Sequence, residues 1–405
     1  MNVFLRSPSR LSKMKILIYT HAFAPRVGGV ETHTMLLAQG LAKSLKQWGK
    51  ENVTVVTSAP ADGFDDPGLP FRLVRRPNLA TIWHLVGSTD LIHLAGPALL
   101  PLILGLLRRK PVVVEHHGFQ AVCPNGQLFY EPLQVQCPGH FMAGRHRECF
   151  HCNASRGRAS SFKLWLLTFL RRWLCYRVSA NIAPTSWLAG LLQLPNTSVI
   201  HHGLAGNGEE KSYLNHVREP VTFAFIGRLV STKGVHVLLQ ASSHLKAMNL
   251  PFHLKVIGDG PERRALEEQT RFLNLTDRVD FLGYLPVADL KRALADVVAI
   301  VAPSLSGEVF GLALLEQMKE GRILIVSNIA PFDEVIGNAG MKFSPGDSSA
   351  LAQRMMQVVA NPSLIKTLGV RARMRATETF GLEEMTQGHL ALYHARVEKV
   401  HNCVH

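Results

Sequence analysis

The sequence predicts an α/β protein built from two Rossmann-like, doubly wound halves. Short β-branched runs alternate with longer amphipathic segments along most of the chain, which is typical of parallel sheets flanked by helices. A length of 405 residues exceeds what one hydrophobic core ordinarily supports, so two domains are expected. The alternation stops near the middle in a polar, glycine-rich stretch and then restarts. We interpret that stretch as an interdomain linker.

The strand prediction comes from apolar runs of strand length on each side of this linker. They are rich in Val, Ile and Leu and are separated by helical patterns, as in βα units. In the first half they are KILIYT, VTVVTS, DLIHLA, PVVVEHH and SANIAPTS, and in the second half they are VTFAFIG, HLKVIG, RVDFLG, VVAIVAPS and RILIVS.

The domain boundaries follow from this alternation and from Met14, which directly precedes the first strand. The last segment has polar helical spacing, and we expect it to pack back on the first domain. The predicted organisation is a basic N-terminal extension over residues 1–13, a first domain over 14–203, a linker over 204–220, a second domain over 221–380 and a returning helix over 381–405.

Composition restricts the partners and the compartment. The 44 Lys and Arg residues exceed the 30 Asp and Glu residues by 14, which favours an anionic partner such as nucleotide phosphates, an acidic lipid surface or nucleic acid. The longest apolar run, residues 97–107, is about half of the roughly 20 residues that span a bilayer and is predicted to be a buried helix. Residues 1–13 lack the apolar core of a signal peptide. We expect a cytoplasmic protein with reduced cysteines.

Two glycine- or cation-bearing loops follow predicted strands, where ligands of doubly wound sheets bind. In PRVGGVETH, Gly28 and Gly29 allow close approach of a ligand to the backbone, and the next helix, predicted over residues 32–45, offers N–H groups to an anion. In GRLVSTKG, Arg228 and Lys233 are placed to neutralise a diphosphate and a departing phosphate. The alternatives are a purely structural Gly-Gly turn and a solvated basic loop.

A third strand end carries two glutamates in SLSGEVFGLALLEQM. The helix is predicted to begin near Phe310, which leaves Glu308 in the loop, where it can accept hydrogen bonds from sugar hydroxyls. Backbone N–H groups of Phe310, Gly311 and Leu312 could bind phosphate, and Glu316, near the second turn, could bind vicinal hydroxyls such as those of ribose. The alternative is that both glutamates only favour the helix macrodipole.

A fourth strand end, VVVEHHGF, carries His116 and His117. Histidines at the end of a strand can reach a ligand, although packing or capping is the more common role.

Together these stretches resemble the retaining glycosyltransferases of family four, which have the GT-B fold of two Rossmann-like domains facing across a cleft. The resemblance runs from about Met14 to Tyr393. It extends to a subgroup with a cysteine-rich insertion in the N-terminal domain. The motifs that carry it are GGVE, GRLVSTKG, VIGDGPERRALE, VDFLGYLP, EVFGLALLE and SNIAPFDEVIGNAGMKFSPGD.

The resemblance implies a role for each candidate residue. Arg228 and Lys233 would bind the diphosphate of a nucleotide sugar and stabilise its developing charge. Glu308 would hold the donor sugar, Glu316 would bind the ribose, and His117 would match the histidine that contacts the donor sugar. The remaining implied contacts are Gly28 and Gly29 with the donor phosphates, and residues 256–260, including Gly258, with Tyr284 and Leu285 at the nucleobase.

The implied reaction is transfer of a sugar, with retention of anomeric configuration, to a glycan or lipid-linked acceptor in cell-surface polysaccharide or glycolipid synthesis. The leaving diphosphate would serve as base, with neither an enzymic nucleophile nor a catalytic metal. The alternative is a catalytically inactive relative that acts as a metal-binding or nucleic-acid-binding interaction protein. Intact Arg228, Lys233, Glu308 and Glu316 disfavour inactivity, and the absence of a nucleic-acid motif disfavours nucleic acid. A phosphorylase or a sugar-nucleotide epimerase with the same fold is the nearest enzymatic rival.

Two further segments carry separate expectations. A cysteine-rich insertion over residues 123–152 offers four thiolates to a structural zinc, with unconnected thiols as the alternative. A basic aromatic helix predicted over residues 162–178 suits peripheral contact with an anionic membrane at its inner face, with simple core packing as the alternative. The predicted zinc ligands are Cys123, Cys137, Cys149 and Cys152, with His140, His146 and His151 as substitutes.

Overall fold

Two parallel β-sheets flanked by helices organise the chain, and the predicted α/β class is confirmed. The computed structural model describes residues 14–46, 49–206, 219–361 and 363–402. The predicted N-terminal extension and most of the predicted linker lie outside these residues. The chain divides into a first unit of residues 1–124, 162–205 and 381–405 and a second unit of residues 125–161 and 206–380.

The strands coincide with the predicted apolar runs, with β3, β6, β7, β9 and β15 in addition. In chain order they are β1 (Ile16–Thr20), β2 (Val53–Thr57), β3 (Arg72–Arg75), β4 (Leu91–Ala95), β5 (Val112–Glu115), β6 (Phe129–Tyr130), β7 (Val135–Gln136), β8 (Ala180–Ala183), β9 (Thr197–Val199), β10 (Val221–Ile226), β11 (Phe252–Ile257), β12 (Val279–Gly283), β13 (Val297–Ala302), β14 (Ile323–Ser327) and β15 (Met341–Phe343).

Helices connect most of these strands, as parallel pairing requires. They are α1 (Gly29–Ser44), α2 (Leu79–Ser88), α3 (Leu99–Leu107), α4 (His146–Cys152), α5 (Arg158–Cys175), α6 (Ser186–Leu192), α7 (Val235–Ala247), α8 (Arg263–Phe272), α9 (Val287–Ala293), α10 (Leu312–Lys319), α11 (Ala330–Ile336), α12 (Ser348–Ala360), α13 (Ser363–Thr379) and α14 (Leu382–Asn402). None of these described helices is long and apolar enough to cross a membrane.

The sheet of the first unit has seven parallel strands in the order β3-β2-β1-β4-β5-β8-β9. Strands β1 and β2 are buried along their whole length, which explains why they are continuous apolar runs rather than alternating patterns. From β1 the chain continues through β2 to β3 at one edge of the sheet and then crosses to β4, on the other side of β1. The strand order therefore reverses between β1 and β4, which is the position where doubly wound sheets bind ligands.

The sheet of the second unit has six parallel strands in the order β12-β11-β10-β13-β14-β15. Its strand order reverses between β10 and β13 in the same way. Apolar side chains of β10 and β11, including Phe223 and Val256, pack with the inner face of α7 in one core. This reversal brings the loops that follow β10 and β13 to the same edge of the sheet.

From residue 125 onward the cysteine-rich segment groups with the second unit, although the predicted boundaries placed it in the first domain. The Ser306 hydroxyl lies 2.8 Å from the Leu128 carbonyl oxygen and 3.2 Å from that of Gln127. Phe129 is fully buried in the core of the second unit. Sequence order alone could not indicate this, because the docking partner lies almost 180 positions further along the chain.

The C-terminal helix α14 groups with the first unit. Met385 and Tyr393 lie in its core, and the Tyr393 hydroxyl lies 2.8 Å from Nδ1 of His93. A backbone bridge between Leu204 and Gly381 brings the two returning segments side by side. The segment over 381–405 was predicted to pack in this way.

Two predicted helices differ in detail from the observed ones. Helix α1 begins at Gly29 rather than at residue 32, because extended Gly28 serves as its N-cap. Helix α3 was predicted to be buried, but Leu100, Ile103 and Leu107 are exposed along it. The prediction for α3 was wrong because a continuous apolar run does not show which face of the helix meets the sheet.

We predict that Gly258→Ala lowers the free energy of unfolding by about 2 kcal/mol or more. Gly258 has φ +132°, and an added Cβ would lie 1.8 Å from the Gly227 carbonyl oxygen. Gly190→Ala is the control, since that helical position has open space for a methyl group and should be neutral or stabilising. Urea unfolding measures both variants. Equal stability of Gly258→Ala and wild type would contradict this close approach of backbones.

Candidate functional site

The loops that follow β10 and β13 are fastened to one another by backbone contacts. The Thr232 carbonyl accepts hydrogen bonds from the N–H groups of Leu305, at 2.8 Å, and Ser306, at 3.3 Å. Gly234 has φ +66°, and a Cβ there would lie 2.0 Å from the Pro303 carbonyl oxygen. Only glycine permits this approach, so the GRLVSTKG loop and the loop that carries Glu308 form one surface.

An ion pair joins these two loops. Lys233 Nζ lies 2.5 Å from Oε1 of Glu308, and the Ser304 hydroxyl donates to the same oxygen at 2.8 Å. The Glu308 side chain is only 12 % exposed and that of Lys233 is 26 % exposed. Both partners contact Oε1, so Glu308 is held in place while Oε2 can still accept a hydrogen bond. The structure thus brings together two residues that the sequence placed at separate strand ends.

Arg228 lies at the beginning of the same loop and is exposed. The Leu229 N–H donates to the Asp259 carbonyl at 2.9 Å, and the Val230 N–H donates back to the Arg228 carbonyl at 3.0 Å. These bonds hold the backbone from Arg228 to Val230 in place. Its guanidinium forms no ion pair with any residue that the structure describes, so it remains available to an anion.

Helix α10 begins at Leu312, two residues later than predicted. Gly311 is the N-cap in a left-handed conformation with φ +102°. The first-turn N–H groups of such a helix have no partner within the helix itself and can serve an anion. The Phe310 ring is fully buried, 5.5 Å from the Phe380 ring, so a ligand contact by Phe310 is restricted to its backbone.

Glu316 is a half-buried carboxyl in the second turn of α10. Its side chain makes no hydrogen bond or ion pair with the described residues, and burial raises its pKa from about 4.5 to about 7. A buried carboxyl without a partner is costly for the fold. Its position is therefore more consistent with a ligand contact than with the macrodipole role considered above.

The proposed nucleobase segment lies where β11 and β12 end. The Gly258 N–H donates to the Gly283 carbonyl at 2.8 Å, which aligns these strand ends. Tyr284 is exposed and Leu285 is half-buried. Val256 is fully buried in the core, so its side chain cannot contribute to a nucleobase wall.

The other predicted contacts lie in the first unit. Gly28 and Gly29 stand at the N-terminus of α1, where Gly28 has an extended backbone. His117 follows β5, and its side chain is only 6 % exposed. Neither of its ring nitrogens hydrogen-bonds to a described residue. Burial holds the pKa of His117 well below its usual range, so the ring is neutral at pH 7.

The sequence analysis did not identify a cluster of histidines around Glu115. This fully buried carboxylate lies 2.9 Å from Nε2 of His33 and 3.2 Å from Nε2 of His93. Burial alone would raise the pKa of Glu115, but the surrounding histidines, His33 and His117 foremost, hold it well below its usual range. The only sequence signal was the number of histidines, 19, in a chain of this length.

The predicted zinc ligands are divided between the units, with Cys123 in the first and the other three cysteines in the second. Cys152 Sγ lies 3.3 Å from the Phe129 carbonyl oxygen, and burial raises its pKa, which disfavours the thiolate. In the described part of the chain, sets of three ligand atoms within 4.8 Å of one another occur around Glu115 and include no cysteine. The cysteine arrangement does not fit a zinc site as it stands, and that site stays a prediction.

The chain is similar in sequence to known proteins. The family described as glycosyl transferases group 1 matches residues 207–375, which include Arg228, Lys233, Glu308 and Glu316. Glycogen synthase of Mycobacterium tuberculosis is 26% identical over 289 residues, covering 70% of this chain and 69% of the relative. D-rhamnosyltransferase WbpZ of Pseudomonas aeruginosa is 32% identical over 194 residues, which cover 45% of this chain and 49% of that relative.

The fold also matches solved structures. HepE of Anabaena, in complex with UDP and glucose, superposes with a TM-score of 0.72 at 17% identity, covering 94% of this chain and 100% of that one. At that identity the match concerns the fold alone. The fold is of the GT-B type.

We predict that Glu316→Gln stabilises the protein at alkaline pH. The Glu316 carboxyl ionises near pH 4.5 in the unfolded chain and near pH 7 in the folded protein. Ionisation of Glu316 therefore destabilises the folded wild type increasingly between these pH values, and the destabilisation stays constant above them. The variant should match wild type at pH 4.5 and exceed it at pH 8 by about 3 kcal/mol in the free energy of unfolding. Urea unfolding at both pH values measures this difference.

Glu268→Gln, at an exposed position of α8, is the matched control and should leave the pH dependence unchanged. A pH-independent difference between Glu316→Gln and wild type would contradict a raised pKa at Glu316.

Proposed function

We propose that the protein is a retaining glycosyltransferase that moves a sugar from a nucleoside-diphosphate sugar to a glycan or lipid-linked acceptor. The observation that carries this proposal is the Lys233–Glu308 ion pair, with Arg228 on the same loop, at the strand-order reversal of the second unit. The complex of HepE with UDP and glucose supports a nucleotide-sugar donor. The match to glycogen synthase supports a role in polysaccharide synthesis, and we propose synthesis of cell-surface polysaccharide or glycolipid.

The donor diphosphate would bind the two cations of the β10 loop. Lys233 has three N–H donors, so it can contact a phosphate oxygen while one donor remains on Glu308. Arg228 would form paired hydrogen bonds with two further phosphate oxygens. Backbone N–H groups of Gly311 and Leu312 would add donors at the start of α10. Charge on the departing diphosphate is thereby neutralised as it develops.

The two glutamates would bind different sugars of the donor. Glu308, oriented by Ser304 and Lys233, would accept from hydroxyls of the transferred sugar. Glu316 would accept from the two ribose hydroxyls, which would supply the hydrogen bonds that its buried carboxyl lacks. Gly258 and Leu285 would border the nucleobase.

Residues of the first unit are assigned by the family resemblance. Gly28 and Gly29 would lie against the donor phosphates, where the absence of side chains permits close approach. His117 would contact the donor sugar as a neutral imidazole, able to donate from one nitrogen and accept at the other.

The reaction we propose retains anomeric configuration. The bond from the anomeric carbon to the diphosphate oxygen breaks, the acceptor oxygen bonds to the same face of that carbon, and the acceptor proton passes to the diphosphate. Arg228 and Lys233 stabilise the negative charge on the leaving group, so neither an enzymic nucleophile nor a catalytic metal enters the scheme.

Peripheral contact with an anionic membrane is a further part of the proposal. Along α5 and just beyond it, large apolar side chains are exposed at helical spacing, with the Arg177 guanidinium 3.6 Å from the Trp173 ring centroid. Exposed Lys163 adds positive charge near the start of this stripe. Exposed aromatic groups beside cations suit an anionic lipid surface. The stripe comprises Phe162, Leu166, Phe169, Leu170, Trp173 and Tyr176.

We expect Arg228→Ala and Lys233→Ala each to lower kcat by about 10²-fold or more, because each removes charge stabilisation from the leaving group. Arg264→Ala, which removes a highly exposed cation from α8 of the same unit, should retain wild-type activity. Transfer is measured by release of nucleoside diphosphate from a panel of donor sugars, and product NMR reports the anomeric configuration. Wild-type turnover in either site variant would refute the assignment, and an inverted product would refute retention.

We expect the double variant Phe162→Ser, Trp173→Ser to bind vesicles containing anionic phosphatidylglycerol at least about 10-fold more weakly than wild type, since two apolar groups are lost from the lipid contact. Phe272→Ser, which removes an exposed phenyl group from α8, is the control and should bind as wild type. Vesicle co-sedimentation measures all three proteins. Unchanged binding by the double variant, or equal binding to neutral phosphatidylcholine vesicles, would count against membrane contact at this stripe.

A further inference from the structure

Four elements of the first unit converge on one carboxylate oxygen. Oε2 of Glu115, at the end of β5, lies 2.9 Å from Nε2 of His33 on α1, 3.2 Å from Nε2 of His93 on β4 and 3.4 Å from Nε2 of His389 on α14. All four side chains are at most 1 % exposed. Three imidazoles directed at one buried oxygen require either protons or a cation among them.

The hydrogen bond made by Nδ1 of His389 determines the tautomer of the ring, and therefore whether Nε2 presents a proton or a lone pair to Glu115. Nδ1 of His389 lies 2.8 Å from the Met385 carbonyl oxygen, which can only accept, so Nδ1 carries the proton. In the neutral ring, Nε2 then presents a lone pair to the carboxylate oxygen at 3.4 Å. Two lone pairs at that separation repel unless a positive charge lies between them.

His93 has a matching arrangement. Its Nδ1 lies 2.8 Å from the Tyr393 hydroxyl, whose oxygen can accept a hydrogen bond from Nδ1–H, and this leaves the Nε2 lone pair directed at Glu115. Metal-bound histidines commonly donate their other N–H to a carbonyl, carboxylate or other acceptor, which orients the ring. Both histidines thus have the outer hydrogen bond expected of metal ligands.

The separations fit a small tetrahedral ion. For bonds of about 2.0–2.1 Å to zinc, neighbouring ligand atoms lie roughly 3.3 Å apart. The distances from Oε2 of Glu115 to Nε2 of His93 and to Nε2 of His389, 3.2 and 3.4 Å, are close to that value. The ligand atoms of His93, Glu115 and His389 also lie within 4.8 Å of one another. Imidazole and carboxylate ligands suit Zn²⁺ better than Mg²⁺ or Ca²⁺.

We propose that His93, Glu115 and His389 bind a structural Zn²⁺. All three ligands are fully buried, which suits a structural rather than a catalytic ion. Because the ligands come from β4, β5 and α14, the ion would attach the C-terminal helix to the sheet of the first unit.

A second set of three, His33, Glu115 and His117, overlaps the first. Both ring nitrogens of His117 and Nδ1 of His33 lack a hydrogen-bond partner among the described residues. This second set therefore lacks the outer hydrogen bonds of the first. His117 also lies further from Glu115, at 3.8 Å. The observations therefore favour the set with His93 and His389.

The experiment measures zinc bound to the full-length protein after two cysteines of the cysteine-rich segment have been replaced by serine. Cys149→Ser, Cys152→Ser protein is loaded with Zn²⁺, desalted and analysed for metal, alone and combined with His389→Gln or His93→Gln. We expect about one equivalent of zinc in the double cysteine variant and its loss on either histidine change. His116→Gln is the control, because this fully buried histidine pairs with Asn181 at 2.9 Å and not with Glu115.

Cobalt and thermal unfolding give independent readouts that do not depend on folding of the histidine variants. Co²⁺-loaded cysteine-variant protein should show visible d–d bands without a thiolate charge-transfer band, and added Zn²⁺ should raise Tm by at least about 5 °C. Zinc below a tenth of an equivalent with no Tm shift, or zinc that persists in both His389→Gln and His93→Gln, would overturn the proposal. A hydrogen-bonded network with a shared proton would then account for the cluster.

Discussion

The attachment of the Lys233 loop to the Glu308 loop is the constraint on which the candidate donor site depends. Strands β10 and β13 are parallel neighbours, so their carboxyl ends meet at one edge and the loops beyond them must pack together. The Thr232 carbonyl and the glycine at position 234 hold the two backbones in contact. The ion pair then orients a carboxylate toward the position where we propose a sugar, beside cations suited to its diphosphate.

The cysteine-rich segment contributes to the same loop. Ser306, two residues before Glu308, donates its hydroxyl hydrogen to backbone carbonyls at residues 127 and 128. Phe129 anchors the segment in the core of the second unit. These contacts attach the segment to the Glu308 loop without any metal. A structural role of this kind requires neither reactive thiols nor bound zinc.

The fold could be predicted from the sequence, and Lys233 and Glu308 could be placed at strand ends, because these signals are local. Buried parallel strands are continuous apolar runs, and the residues just beyond each strand must lie at one edge of the sheet. The Glu115 cluster and the docking of residues 125–161 could not be predicted in this way. Glu115 and His389 are 274 positions apart, and Ser306 and Gln127 are 179 positions apart. Arg322 is another case, since its burial depends on the carbonyls of Leu294 and Val297.

The central claim is that the edge of the second sheet binds a sugar-linked diphosphate. A crystal structure of the protein with a bound nucleoside diphosphate, chosen by thermal-shift comparison of UDP, GDP and ADP, tests it most directly. The account predicts diphosphate oxygens within hydrogen-bond distance of Arg228 and Lys233, with the ribose hydroxyls on Glu316. A nucleotide bound elsewhere, or bound there with these side chains directed away from it, would contradict the account.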